Sequence, residues 1–276
     1  MHAGYDPNFA RLAADAERDC YVDWIDALRA VPGNPWRAGA YSFGRATVVV
    51  CGGCPARIVN RCFGLAPADT AQIPQILSCF EEHDSVPSLD LDPFADYGDD
   101  DAFFTELSRH GLAQTGFHQV LVAAPSEIVS DAAPPDTDGD VQIERVGPEA
   151  EASYAMIHER VFGPGLLVTA LLSHPTFRCF LARVDGKPAG LGVLHLRGEI
   201  ASMANGITLP EYRGRGLQLA LLRCRIGLAW ELGGRMVVSQ SNPRNTSMRN
   251  QIRAGLSVLG TKSIWSRITG RADCSV

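Results

Sequence analysis

The stretch that most constrains this chain is Ile207 to Leu222, ITLPEYRGRGLQLALL. A strand-like apolar run stops at Pro210, which has no amide to offer a sheet ladder. A turn carrying Gly214 and Gly216 follows, and a long helix-forming run begins at once. Glycines let a chain turn with positive φ and let backbone amides approach a ligand closely. The first amides of a helix add partial positive charge, and Arg213 and Arg215 add full charge. Such a turn suits a pyrophosphate, although a purely structural turn also accommodates two glycines. A Walker loop would need Lys then Ser or Thr after the last glycine, where Leu217 and Gln218 stand. A Rossmann turn would need a third small residue in register and an acid closing the next strand. Ala220 is out of register, and the run Met236 to Gln240 ends without an acid.

Hydrophobic periodicity places that turn in a longer order. After a Pro-, Asp- and Gly-rich stretch, residues 124–140, that reads as a linker, Val141 to Val146 reads as a strand and Pro148 to Phe162 as a helix. Gly165 to Leu172 reads as a short helix. Phe177 to Val184, Pro188 to Leu196 and Glu199 to Leu209 form a three-strand meander. The helix Gly216 to Leu232 presents Leu217, Leu221, Cys224 and Leu228 as its apolar face. Met236 to Gln240 is a strand, Asn245 to Ala254 a helix ended by Gly255 at C′, and Val258 to Ser266 a last strand. Asn245 is also read as a simple helix N-cap. In the linker, Asp136, Asp138 and Asp140 lack the glycine position and closing carboxylate of a calcium loop.

Before the linker, Asn8 to Leu28, Asp69 to Glu82 and Asp101 to His110 read as helices, with Asp69 or Thr70 capping the second. Tyr41 to Val50, Ala56 to Gly64, Ser88 to Leu91 and His118 to Ala123 read as strands. The acids Asp99 to Asp101 complement the dipole of the helix they open. Cys51 and Cys54 flank two glycines after a strand-like run, and no second pair repeats their spacing, so a turn is expected rather than a zinc site.

This order, with the Arg213-Gly214 pair inside Glu211 to Gly216, resembles the GNAT superfamily of acetyltransferases. That family carries Gln/Arg-x-x-Gly-x-Gly/Ala at this place, and Glu211 departs from its first position. Ser247, Arg249, Asn250, Arg253 and Gly255-Leu256 look like a branch that reads Ser-x-Arg-Asn-x-x-Arg-x-Gly-Phe. The likeness covers about the last 130 residues. The N-terminal half looks like a degenerate copy without the glycine turn. The resemblance thus implies an α/β (α+β) fold of two GNAT-like domains, each a mixed, mostly antiparallel sheet flanked by helices. Residues 1–123 would lack a coenzyme site, and residues 141–276 would bind acetyl-CoA.

By that resemblance, backbone groups of Ile207, Thr208 and Leu209 would pair with the pantetheine arm. The amides of Arg213, Gly214, Arg215, Gly216, Leu217 and Gln218 would hold the pyrophosphate, with Asn245, Ser247 and Asn250 near the arm from the other side. A backbone amide near Asn205 to Ile207 would meet the oxyanion. Glu199 is the expected base, with His158, Glu159 and His195 as further candidates and a water chain as the alternative. Family members often place a tyrosine four residues before the Gly-Phe of the last helix, to protonate the thiolate. Gln251 stands there and cannot do so.

The expected activity is acetyl transfer to the amine of a small molecule, with the acceptor between the two halves. A cationic aminoglycoside such as kasugamycin is the first acceptor to test, although no motif selects it. A non-catalytic acyl-CoA-binding module and a protein acetyltransferase are the other readings. A net charge of −6 argues against nucleic acid as a partner. No apolar run is long enough to span a membrane. No secretory pattern opens the chain, and its eight cysteines are scattered. A cytoplasmic monomer or homodimer without a metal is expected.

Overall fold

The structure is a computed structural model and describes residues 7–52, 54, 57–98, 101–125 and 141–268. Most of the linker, with Asp136, Asp138 and Asp140, lies outside the described residues. The first half runs α1 (Pro7–Arg29), β1 (Gly39–Phe43), β2 (Ala46–Val50), β3 (Arg61–Phe63), α2 (Ile73–Glu82), β4 (Ser88–Asp90), α3 (Ala102–Arg109) and β5 (Leu112–Ala123). The second runs β6 (Val141–Val146), α4 (Glu151–Glu159), α5 (Leu166–Thr169), β7 (Phe177–Val184), β8 (Lys187–Arg197) and β9 (Ile200–Thr208). It closes with α6 (Leu217–Glu231), β10 (Met236–Ser241), α7 (Thr246–Arg253) and β11 (Ser257–Arg267).

The eleven strands of the described residues form one sheet, in the order β1-β2-β3-β4-β11-β5-β10-β9-β8-β7-β6. Reading inward from either edge gives the same plan: antiparallel strands, one parallel pair (β3 with β4, β9 with β10), then a strand lent by the other half. β11 lies between β4 and β5, and β5 lies between β11 and β10. The exchange joins the halves by backbone hydrogen bonds along the whole length of β5. It also explains why β5 begins at Leu112 rather than at the expected His118: its polar first residues pair with β11, and pairing decides the state that composition leaves open.

The core crosses the same boundary. Trp24, Leu28, Val49 and Phe63 pack in one cluster with Leu167, Leu171, Leu181, Leu191 and Ile207. α1 spans the halves. Its Trp24 indole N–H donates to the Leu167 carbonyl at 2.6 Å, and the Ala16 carbonyl accepts from the Ser202 hydroxyl at 3.1 Å. His195 Nε2 lies 2.7 Å from Asp23 Oδ2.

Three expectations change in detail. The run Tyr41 to Val50 is a hairpin, because Gly44 takes φ 61 and Phe43 pairs with Ala46. The run Ala56 to Gly64 begins as a 3-10 turn, Arg57–Val59, before β3. The helix expected from Asp69 begins as a 3-10 turn, Pro67–Gln72, and Asp69 caps nothing: its Oδ1 accepts the Arg45 amide at 3.0 Å.

Candidate active site

β9 and β10 pair only from Ile200–Met236 to Ser202–Val238. Beyond that point β10 continues against β5 and β9 continues against β8, so the two strands part and leave a cleft. A bulge lies where they part. Val193 pairs with Ala204 and Leu191 with Ile207, so Gly192 faces both Asn205 and Gly206. Asn205 takes φ 40 at the bulge. Leu209 donates its amide to Ala189 on β8. Alternation along a strand then turns the backbone groups of Ile207 and Leu209 toward β8, and those of Gly206 and Thr208 toward the cleft. This corrects the expectation for Ile207 and Leu209 by one residue: their side chains are buried and their main-chain groups face away from the opening. The Thr208 carbonyl accepts from Arg213 Nε at 3.3 Å.

At the mouth of the cleft the chain turns through Pro210–Tyr212 into α6. Gly214 has φ 81 and Gly216 has φ 75, conformations that cost an L side chain about 1–2 kcal/mol each. The first α6 bond runs from the Ala220 amide to the Gly216 carbonyl, and no side chain caps the helix. Among the described residues, the amides from Gly214 to Leu219 therefore have no acceptor. A Cβ placed on Gly214 would meet nothing within 4 Å, so the turn is open on that side. Arg213 and Arg215 are exposed beside it. Glu211, the departure from the family pattern, forms a two-pronged ion pair with Arg160 at 2.6 and 3.2 Å. No spacing in the sequence relates residue 160 to residue 211, and only the fold pairs them.

The other wall comes from α7. Asn245 is its N-cap, with Oδ1 accepting the Met248 amide at 2.7 Å and the Ser241 hydroxyl at 2.8 Å. Asn250 donates to Gln218 Oε1 at 2.7 Å, tying α7 to α6. Gln251 is 4% exposed, and its amide N–H donates to the Gln240 carbonyl and to Ser247 Oγ at 3.2 and 3.1 Å. Ser247 thus accepts from Gln251 and keeps its own hydroxyl proton. Gln218, Ser247 and Gln251 line a pocket of ≈ 180 Å³ with Asn205, Gly206 and Arg225.

Arg225 projects from α6 under the bulge and is 2% exposed. Nη1 donates to the carbonyls of Val193 and Ala204, both at 3.1 Å, and Nε to Leu221 at 3.0 Å. It forms no ion pair with a carboxylate among the described residues. Burial pushes this guanidinium down to about 10, so it stays charged at neutral pH. The expected apolar face of α6 is corrected accordingly: Cys224 is exposed, whereas Ala220, Leu222, Arg225, Ile226 and Ala229 are buried with Leu217 and Leu221. Apolar residues occur nearly all round this helix, so periodicity selects no face.

The pocket opens into a cavity of ≈ 900 Å³ between the halves, walled by Tyr21, Trp24, Phe117 and Phe162. Glu17, Arg61 and His118 are its ionisable lining apart from thiols and phenols. Burial, then Arg61 and Lys262, push His118 down to about 4, so it is neutral near pH 7. Among the described residues, four of the nine buried polar side-chain atoms that lack a partner belong to residues lining this space or the pocket beside it, His118, Asn205, Gln240 and Gln251. Such orphans are rare in a finished core and gather where a ligand or water completes the bonding.

The structure does not bring Glu199 into this cleft. It sits at the β8–β9 turn, at the far end of β9 from the glycine turn. Its side chain is 65% exposed and pairs with Arg235 at 3.4 Å. His158 is tied to the Gly163 carbonyl and His195 to Asp23, and neither lines the cavity, nor does Glu159.

No family model and no curated sequence matches this chain. Solved structures do match its fold. A GCN5-related N-acetyltransferase from Kribbella flavida superposes with a TM-score of 0.65 at 18% identity, covering 95% of this chain and 96% of its own. A tandem GNAT protein from the clavulanic acid biosynthesis pathway gives 0.60 at 16%, covering 93% and 97%. A GCN5-related N-acetyltransferase from Sphaerobacter thermophilus gives 0.54 at 16%, covering 95% and 93%. The fold is that of the GNAT acetyltransferases. Its mixed, mostly antiparallel sheet matches a tandem GNAT protein over nearly the whole chain. Among the described residues, no helix is long and apolar enough to cross a membrane.

Proposed function

We propose that this chain binds acetyl-CoA in its C-terminal half and transfers the acetyl group to the amine of a small molecule. One observation carries the reading: unpaired amides from Gly214 to Leu219 stand at the mouth of the cleft where β9 and β10 part. A diphosphate satisfies those amides and the helix dipole, with Arg213 and Arg215 beside it. The edge of β9 at Gly206 and Thr208 offers its main chain to the pantetheine arm as an added strand would. Asn245, Ser247 and Asn250 close the other side.

The reaction joins the acceptor nitrogen to the acetyl carbon and breaks the carbon–sulfur bond. An alkylammonium has a pKa of roughly 10, so it must first lose a proton, and among the described residues the carboxylate lining the cavity, Glu17, has both oxygens held by Lys262. Water in the cavity carries that proton, beside neutral His118. A main-chain amide at the bulge, from Asn205 to Ile207, is assigned to the developing oxyanion. Arg225 supplies fixed positive charge below them. In place of the tyrosine, the Ser247 hydroxyl donates to the leaving thiolate while Gln251 holds its oxygen.

The test is thiol release from acetyl-CoA with a panel of small amines that includes kasugamycin, with the acetylated product identified by mass. The expected result is turnover of at least one amine by direct transfer, without a covalent acetyl-enzyme. Coenzyme binding with no turnover of any amine would instead support an acyl-CoA-binding module, which the glutamine at 251 favours.

A further inference from the structure

The charges around the acceptor cavity select a class of acceptor. Among the described residues, Glu17 is the one carboxylate that lines it, and both of its oxygens are held by Lys262 Nζ, at 2.6 and 2.8 Å. Lys262 also donates to Asp90 Oδ2 at 2.6 Å, and the same oxygen takes Arg61 Nη1 at 2.5 Å. Burial pushes the Glu17 carboxyl up despite Lys262. Burial would raise Asp90 as well, but Arg61 and Lys262 outweigh it and hold Asp90 below the usual carboxylate range. These four side chains neutralise one another, which leaves no free negative charge for a cationic ligand.

Arg61 is different from its partners. Nε donates to Ile58 and Nη1 to Asp90, and among the described residues its other terminal nitrogen has no acceptor. The side chain is 11% exposed, it lines the cavity, and its guanidinium lies over the Tyr21 ring at 5.4 Å. Asp90 keeps Arg61 charged even though burial opposes it. Unpaired Arg225 adds a second cation where the cavity narrows. Among the described residues, the free edge of Arg61 and the guanidinium of Arg225 are therefore the cationic groups this space presents to a ligand.

We propose that the acceptor is an amine that also carries a carboxylate, seated on the free edge of Arg61 with an apolar body against Tyr21 and Phe117. A guanidinium fork already oriented by Asp90 and Ile58 meets a carboxylate without losing much side-chain freedom. A polyamine would bring like charge toward Arg61 and Arg225 in a space of low dielectric. This rests on the acetyl-transfer reading for what happens to the amine, but not for what Arg61 binds.

The test titrates the full-length protein, saturated with coenzyme A, with phenylalanine, leucine and β-alanine, with the carboxamide of each, and with spermidine. Calorimetry reads binding, and thiol release from acetyl-CoA reads transfer. At least one carboxylate should bind about tenfold tighter than its own amide, and spermidine should not bind. Arg61→Gln should erase that preference, and Arg61→Lys should retain part of it. If Arg61→Gln does not fold, the acid-versus-amide pairs on the unaltered protein decide alone. Carboxylate-selective binding without thiol release would leave this inference standing and sink acetyl transfer. Acetylation of spermidine or of the amides in preference to the acids would sink this inference and leave acetyl transfer standing. Failure of every acid to outbind its amide overturns the inference.

Discussion

The two parallel pairs of the sheet, β3 with β4 and β9 with β10, are joined in the same way, by a turn and a helix. We place a site at only one of them. After β3 the chain turns at Gly64, but Leu65 is fully buried, the Asp69 carboxylate takes the Arg45 amide, and a 3-10 turn fills the approach to α2. A Cβ on Gly64 would come within 3.2 Å of the Arg45 carbonyl. After β9 the turn is open, its amides are free and its side chains are arginines. The register differs too. β2 and β3 pair without a break, whereas β8 and β9 carry the bulge at Asn205 and Gly206. The helices follow suit: the buried face of α2 is Ile73, Ile76, Leu77, Cys79 and Phe80, while α6 buries a guanidinium. A strand–turn–helix connection becomes a binding site only when its amides are left unpaired and its strands are forced apart.

Giving the second pair the lining of the first should break that difference. The largest effect is expected from Arg225→Met, which makes α6 as apolar inside as α2. The Val193 and Ala204 carbonyls would lose their donor, at a cost of about 2–4 kcal/mol in denaturant unfolding. Coenzyme affinity should fall with it, because the bulge then has nothing beneath it. Unchanged stability would mean that those carbonyls find water and that Arg225 does not hold the strands apart.

A smaller effect is expected from Arg215→Asp, which puts at the open turn the charge that Asp69 brings to the closed one. Affinity for coenzyme A should drop about tenfold at low salt, and the loss should shrink as salt rises. A salt-independent loss would point to a changed turn rather than a changed field. The smallest effect belongs to Glu199→Gln. Its pair with Arg235 is exposed and worth at most about 1 kcal/mol. Turnover and its pH profile should be unaltered, and a large drop in the rate constant would return Glu199 to the chemistry.

Much of this was legible in the sequence. The glycine turn, the long helix behind it, the meander before it and the Asn245 cap are written in local residue patterns. The exchange of β5 and β11 was not, since strand order depends on pairings between residues far apart in the chain. Arg160, Arg225 and the four-charge cluster of Glu17, Arg61, Asp90 and Lys262 escaped notice for the same reason: each is defined by partners that only the fold brings together. The Ile207 and Leu209 main-chain groups were off by one position because alternation cannot be phased without knowing which strand is the neighbour. Glu199 failed because strand direction puts it at the end of β9 opposite the turn.

The central claim is tested most directly by a calorimetric titration with coenzyme A of the unaltered protein and of Gly216→Trp, each first shown to be folded by its melting transition. One site per chain is predicted for the former and none for the latter, since an indole at Gly216 would cover the amides at the start of α6. Two sites per chain, or equal affinity in the variant, would contradict the placement of the phosphate at that turn.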